Sequence, residues 1–271
     1  MYQIVASDMD GTFLASDHSV PRPNIAALKR LSELGVFFVP ASGRGYQSIL
    51  DSFDPDLLAL LEGSFVISYN GAAINQCGVT KPLMTQGLSY ETASRLFEWA
   101  HTNKVAMHIY TFDGACYCVD INESERSYIK GILDYEDYQG SDIVFLKDRP
   151  IAKILFCREG LAEIDKLKAA MPAELLLKTE VSISSERYLE FNAPGVNKGA
   201  ALRWLAHHLE TDLAHCIACG DSLNDLSMIE CAGLGVVPAN ATADVTAIAS
   251  YHAHASNDDG LIAEIVEKLL T

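Results

Sequence analysis

The sequence predicts an α/β protein in which a parallel-sheet core is interrupted by an inserted α+β module. Short, continuously apolar strands alternate with segments of helical period over roughly the first and last 75 residues, the pattern of a parallel sheet covered on both faces. Between them lie about a hundred residues, far more than a normal connection within such a sheet, so that stretch should fold as a domain of its own. Acids, amides and glycines recur where the apolar strands stop, and open α/β sheets bind their ligands at the carboxyl ends of their strands.

Taken in order, Tyr2 to Ser7 is a short apolar strand. Pro23 to Leu34 carries Ile25, Leu28, Leu31 and Leu34 at helical spacing and stops at Gly35. Val36 to Ala41 reads as the second strand, Tyr46 to Phe53 as a short helix and Phe65 to Ser68 as a third strand of the same parallel sheet. The insert, residues 83–185, then holds a helix from Tyr90 to Thr102 and a strand from Ala106 to Tyr110. Asp113-Gly114 suits a hairpin turn into a strand from Ala115 to Val119. A strand from Ile151 to Cys157, a helix from Leu161 to Ala170 and short strands near Leu175 and Ile183 complete it. The core, residues 1–82 plus 186–271, resumes with a helix from Lys198 to Leu209. Strand Cys216 to Cys219, helix Leu223 to Cys231, strand Leu234 to Val237 and helix Leu261 to Leu270 follow.

Composition excludes several classes. With 49% hydrophobic and 21% charged residues, 18 Gly and 9 Pro in 271, the chain is neither disordered nor fibrous. A formal net charge of −16, with a pI near 4.8 and no basic patch, argues against nucleic acid as a partner. The insert holds 16 acids and 11 bases, the split core 20 acids and 9 bases, so the acidity concentrates in the core. No apolar run approaches the ~18 residues of a membrane span, and the start MYQIVASD lacks the pattern of a signal peptide, so a cytoplasmic location is expected. Seven cysteines in apolar surroundings do not form a disulfide framework; Cys216-Ile-Ala-Cys219 has redox spacing but lies in a buried strand, and all seven read as core thiols. The pairs His207–His208 and His252–His254 have no partner at a recognised ligand spacing and read as surface or core residues.

Chemistry concentrates at Asp8-Met9-Asp10-Gly11-Thr12, directly after the first strand. Residues two apart in an extended chain project to one side, so Asp8 and Asp10 face one small volume. Two adjacent carboxylates repel unless a cation sits between them or one is protonated, and a hard divalent ion such as Mg²⁺ satisfies oxygen ligands. Gly11 permits the tight turn, and neighbouring amides can cradle an oxyanion. Ala41-Ser42-Gly43-Arg44 ends the second strand with a hydroxyl and an amide suited to a phosphoryl oxygen, and Asn70-Gly71 ends the third. Asn197-Lys198-Gly199 opens a helix whose positive end adds to the lysine, and Gly220-Asp221-Ser222-Leu223-Asn224-Asp225 closes a later strand with two acids and an amide. Taken singly, each could be a polar turn or a helix cap; together they form a constellation at successive strand ends.

In this order, DMDGT, ASGR, SYNG, NKG and GDSLND resemble the motifs of the haloacid dehalogenase (HAD) superfamily, most closely its Cof-type phosphatases. These have a Rossmann-like core with an α/β cap inserted after the third core strand. Asn240 in VPANAT and the late Asn257-Asp258-Asp259-Gly260 extend the resemblance to both ends of the chain; the insert matches by size and place rather than by residues. The turn before Asn240, Pro238-Ala239, departs from the glycine-containing turn usual in the family. The resemblance implies a Mg²⁺-dependent phosphatase for small phosphomonoesters, sugar phosphates first, with a cap that shuts out water and macromolecular substrates. Asp8 would be the nucleophile that forms an aspartyl-phosphate, and Asp10 the general acid and base. Asp8, the backbone carbonyl of Asp10 and Asp221 would bind the metal. Lys198 and Ser42, with the amides of Met9 and Gly43 and the side chain of Asn224, would hold phosphoryl oxygens. Thr12 would position Asp10, Asp225 would orient the metal site or Lys198, and Arg44 could equally be a surface charge. A phosphosugar mutase on the same core, a non-catalytic phospho-ligand binder and a receiver-type domain are the competing readings; a receiver domain needs no hundred-residue insert.

Overall fold

In the computed structural model, which describes residues 2–270, the chain divides into two units: residues up to Met84 together with those from Asn197 onward, and Thr85–Val196. The first unit begins with β1 (Ile4–Ser7), α1 (Arg22–Glu33), β2 (Phe37–Pro40), α2 (Tyr46–Leu50), α3 (Pro55–Leu60), β3 (Phe65–Ser68) and β4 (Ala73–Gln76), and β5 (Met84–Thr85) lies at the boundary. The second contains α4 (Tyr90–Thr102), β6 (Met107–Thr111), β7 (Cys116–Val119), α5 (Glu123–Ile129) and β8 (Glu136–Asp137). It continues with β9 (Ile151–Cys157), α6 (Leu161–Ala170), α7 (Ala173–Leu177), β10 (Glu180–Ser184) and β11 (Tyr188–Asn192). The first unit resumes with α8 (Lys198–His208), β12 (Cys216–Cys219), α9 (Leu226–Cys231), β13 (Leu234–Val237), α10 (Ala243–Thr246), β14 (Tyr251–His252) and α11 (Leu261–Leu269).

The core sheet is parallel, in the order β14-β13-β12-β1-β2. Alternation along its strands feeds two separate apolar layers. Val5, Phe38, Ile217 and Val236 pack with Leu28 and Leu31 of α1 and Ile262 and Ile265 of α11, while Ile4, Ala6, Val39 and Ala218 pack with Ala201, Leu202 and Leu205 of α8. The central strands therefore have no solvent-facing side, and their ends are held in fixed register. Among the described residues no helix is long and apolar enough to cross a membrane.

Three expectations are corrected. The third strand does not join the parallel sheet: β3 touches the end of β2 through one bridge, Ala41 to Ile67, and otherwise pairs antiparallel with β4. After β3 the chain doubles back at Tyr69-Asn70-Gly71, where all three residues have positive φ, which sets up the antiparallel pair with β4. Near Leu175 there is the helix α7 rather than a strand; Pro172 supplies a fixed φ at its start, and Ala173-Glu174-Leu175-Leu176-Leu177 consists of strong helix formers. Finally, the insert runs beyond Ser185 to Val196, because β11 pairs antiparallel with β9 and β10 inside a six-stranded sheet, β10-β11-β9-β6-β7-β8. That sheet is packed on one face by Leu96, Phe97, Ile164 and Leu167, and on the other by Ile121, Ile129 and Leu155 beside three cysteines.

Candidate active site

Ser7 and Cys219 are register partners at the ends of β1 and β12, and the Asp8 amide donates to the Cys219 carbonyl at 2.9 Å. The loops carrying Asp8 and Asp221 thus leave adjacent strands side by side at the carboxyl edge of the sheet. The first loop folds back because the Met9 carbonyl accepts from the amides of Phe13 (3.0 Å) and Leu14 (2.8 Å), and the Met9 side chain is buried in the core. Gly11 has φ +80, and a Cβ there would lie 2.8 Å from Asp221 Oδ2, so only glycine fits. Thr12 Oγ1 donates to Asp221 Oδ1 at 2.7 Å and ties the two loops together. Asn240 donates to the Gly11 carbonyl at 2.8 Å and accepts from the Asn257 amide at 3.0 Å, so the Pro238-Ala239 turn still delivers this asparagine to the loop.

Lys198 opens α8 behind its cap Asn197, whose side chain accepts from the Ala200 amide at 2.8 Å. Its side chain is fully buried, which an ammonium tolerates only when paired. Nζ donates to Asp8 Oδ1 and, at 2.6 Å, to Asp225 Oδ1. Burial opposes the charge on Lys198, but the carboxylates of Asp225 and Asp8 outweigh it and push the pKa up. Asp225 is itself locked, since Oδ2 accepts from the amides of Asp221 (3.1 Å) and Ser222 (3.2 Å). That close packing requires Gly220, where a Cβ would sit 2.3 Å from Asp225 Cβ.

One ammonium thus bonds two carboxyl groups beside a third, Asp221, and the carboxyls of Asp8 and Asp221 are both held up. Burial, then the charge of Asp225, raises Asp8 well above the usual carboxylate range despite Lys198. The same two causes push Asp221 up to about 6. Ligand oxygens of Asp8, Asp221 and Asp225 lie within 4.8 Å of one another. Asp225 has committed both oxygens, whereas Asp8 and Asp221 each retain Oδ2 after the bonds to Lys198 and Thr12. Two spare hard oxygens beside uncompensated negative charge fit a hard divalent cation.

The Asp10 carboxylate is not in this cluster. Its Oδ1 is bonded by Arg44 and lies 3.2 Å from His18 Nδ1. The Ser42 hydroxyl accepts from the Arg44 amide at 3.2 Å, its carbonyl accepts from the Asn70 amide at 2.9 Å, and Gly43 is half-buried beside it. Asn224 Oδ1 accepts from Ser222 Oγ at 2.8 Å. Ser42 and Asn224 are therefore engaged within their own loops, and Thr12 bonds Asp221 rather than Asp10, contrary to the expectation that it positions Asp10.

A profile of haloacid dehalogenase-like hydrolases matches residues 5–265. The chain belongs to this family. This HAD-like hydrolase is 30% identical over 275 residues to a Bacillus subtilis (strain 168) protein named "Putative phosphatase YxeH", covering 100% of this chain and 99% of that one. Among solved structures, a haloacid dehalogenase-like hydrolase from Bacteroides thetaiotaomicron is 28% identical with a TM-score of 0.82, over 99% of this chain and 100% of the other. One from B. subtilis is 25% identical with a TM-score of 0.85, over 98% of this chain and 99% of the other.

In this HAD-like hydrolase two partners of Asp10 escape the sequence reading. His18 lies in an exposed turn with φ 65, eight residues from Asp10, and no spacing rule marks it. Arg44 carried a weak signal, a cation directly after Ser42-Gly43 at a strand end, and the structure joins it to Asp10.

Proposed function

We propose that this chain is a Mg²⁺-dependent phosphatase for small phosphomonoesters, sugar phosphates foremost, acting through an aspartyl-phosphate on Asp8. The observation that carries the reading is the placement of Asp8: a carboxylate at the end of a central strand, oriented by a buried lysine, beside a second carboxylate with an oxygen to spare. Asp8, Asp221 and the backbone carbonyl of Asp10 would hold Mg²⁺, which offsets the charge of the phosphoryl oxygens.

An Asp8 oxygen attacks phosphorus as the ester P–O bond breaks, and the leaving oxygen takes a proton from Asp10. Asp10 then removes a proton from water, whose oxygen attacks phosphorus while the bond to Asp8 breaks, releasing inorganic phosphate and restoring both carboxyl groups. Arg44 and His18 both engage Oδ1 of Asp10, which leaves Oδ2 to carry the proton. Lys198, Ser42, Asn224 and the amides near Met9 and Gly43 are the donors proposed for the phosphoryl oxygens. The relative named as a phosphatase supports this reaction class.

The test is phosphate release from a panel of sugar, nucleotide and cofactor phosphates. Release that needs Mg²⁺, stops with a chelator and vanishes in Asp8→Asn is the expected result. Turnover surviving Asp8→Asn would overturn the aspartyl-phosphate, and isomerised ester outpacing free phosphate would identify a mutase instead.

A further inference from the structure

We infer that the Thr85–Val196 unit carries a metal site of its own, a Zn²⁺ site built from His108, Cys116, Cys118 and Cys157 on the sheet face packed by α5. In the antiparallel ladder of β6 and β7, His108 is the register partner of Cys118, and Tyr110 that of Cys116. Side chains alternate along a strand, so His108, Cys116 and Cys118 share one face. Cys157 ends β9, the other neighbour of β6, with its amide bonded to the Ala106 carbonyl. His108, Cys116 and Cys118 are 3% exposed or less and Cys157 is 7% exposed.

Ligand atoms of His108, Cys116 and Cys118 lie within 4.8 Å of one another, and so do those of His108, Glu125 and Cys157. Tetrahedral zinc with Zn–S near 2.3 Å spaces its ligand atoms about 3.7 Å apart, and His108 belongs to both groups. A second observation points the same way: His108 Nε2 is buried and makes no hydrogen bond. It lies 3.3 Å from Glu125 Oε1, near enough for an ion pair but misaligned as a donor. A buried ring nitrogen left in this state is uncommon, and a metal is one partner that satisfies it. Glu125 is already held by Arg187 Nε and the Tyr188 hydroxyl, both at 2.7 Å, so Cys157 is the better fourth donor, and the Tyr110 hydroxyl, 3.2 Å from Nδ1, is the group that orients the imidazole.

One imidazole and three sulfurs select zinc over the hard cation suited to Asp8 and Asp221. Without metal the Cys118 and Cys157 thiols stay protonated: a bond with Cys116 together with burial holds Cys118 up, and burial does so for Cys157. Binding forms three Zn–S bonds and one Zn–N bond and releases three protons to solvent, leaving a complex of charge −1. Arg187 and Arg158 lie near enough to Cys157 to offset that charge.

The experiment uses the full chain, stripped with a chelator, then given Zn²⁺ alone or Co²⁺ alone in excess Mg²⁺. The expected results are one Zn²⁺ per chain retained through desalting, and a Co²⁺ form with thiolate-to-cobalt charge transfer and the strong visible bands of tetrahedral cobalt. Both should persist in Asp221→Asn and be lost in Cys118→Ala and His108→Gln, with folding checked by circular dichroism. Should those variants unfold, the wild-type cobalt spectrum decides alone. Absence of charge transfer, an octahedral spectrum, or zinc that Mg²⁺ displaces would overturn the assignment.

Discussion

Lys198 makes the sharpest residue-scale prediction, because its ammonium has no solvent and depends on Asp8 and Asp225. Removing one charge from a buried ion pair costs about 3–5 kcal/mol, chiefly because the remaining charge is stranded. Asp225→Asn should lower the urea stability of the core by that order and reduce turnover as well, since Lys198 then follows Asp8 alone. An unchanged midpoint would mean that Asp225 is not needed to hold the lysine. The second residue-scale prediction concerns Asp10. On the proposed mechanism Asp10→Asn removes the proton carrier and should lower kcat about 10²–10⁴-fold. Arg44→Ala should produce a smaller fall in kcat with little change in KM, partly recovered in Arg44→Lys, because Arg44 positions the carboxylate without carrying the proton. If kcat in Arg44→Ala equals wild type, the Arg44–Asp10 contact has no part in turnover.

At the scale of elements, legibility followed the range of the forces involved. Phe65–Ser68, Tyr90–Thr102, Ile151–Cys157 and Cys216–Cys219 are delimited by apolar run or period and by local caps, and their bounds in the structure coincide with the sequence expectation. Strand ends bearing Asp8 and Asp221 were legible and their joint role was implied by the family resemblance; that the two strands are neighbours is seen in the structure. What escaped depends on partners distant in sequence. β11 exists as a strand through β9 and β10, and the cluster around His108 needs three strands to assemble. Helix α5 had a local signal that went unread: Asn122 caps it by accepting from the Glu125 amide at 2.8 Å, with Glu123 and Glu125 in its first turn. This helix yields a pH prediction. Burial alone would raise Glu125, but contact with His108, Tyr188 and Arg187 outweighs it and lowers the carboxyl from 4.5 to about 2. A folded pKa below the unfolded one gives stability that is complete above about pH 4.5 and lost as pH falls toward 2, at most about 3 kcal/mol. In metal-free protein, wild type should therefore lose more stability between pH 6 and 3 than Glu125→Gln; parallel curves would remove Glu125 as the cause.

At the scale of the whole molecule, a chain of net charge −16 is proposed to bind an anion. The field must be reversed locally, by Lys198, by Arg44 and by the cation proposed at Asp8 and Asp221. The second whole-molecule property is the division into two units, each with its own apolar layers. Separate cores imply separate cooperative units, because the free energy of opening a segment is set by the contacts it alone would lose. Phe156 tests this. It is fully buried in the insert, with its ring centroid 4.7 Å from that of Phe191 and 5.8 Å from that of Trp99. Phe156→Ala should cost about 3–5 kcal/mol through lost burial and the cavity left behind. Native-state amide exchange should then show protection falling across β6, β9 and β11 while β1 and β12 exchange as in wild type. Equal loss of protection in β1 and β12 would show that the molecule opens as one unit, and that the insert shares its stability with the sheet that carries Asp8.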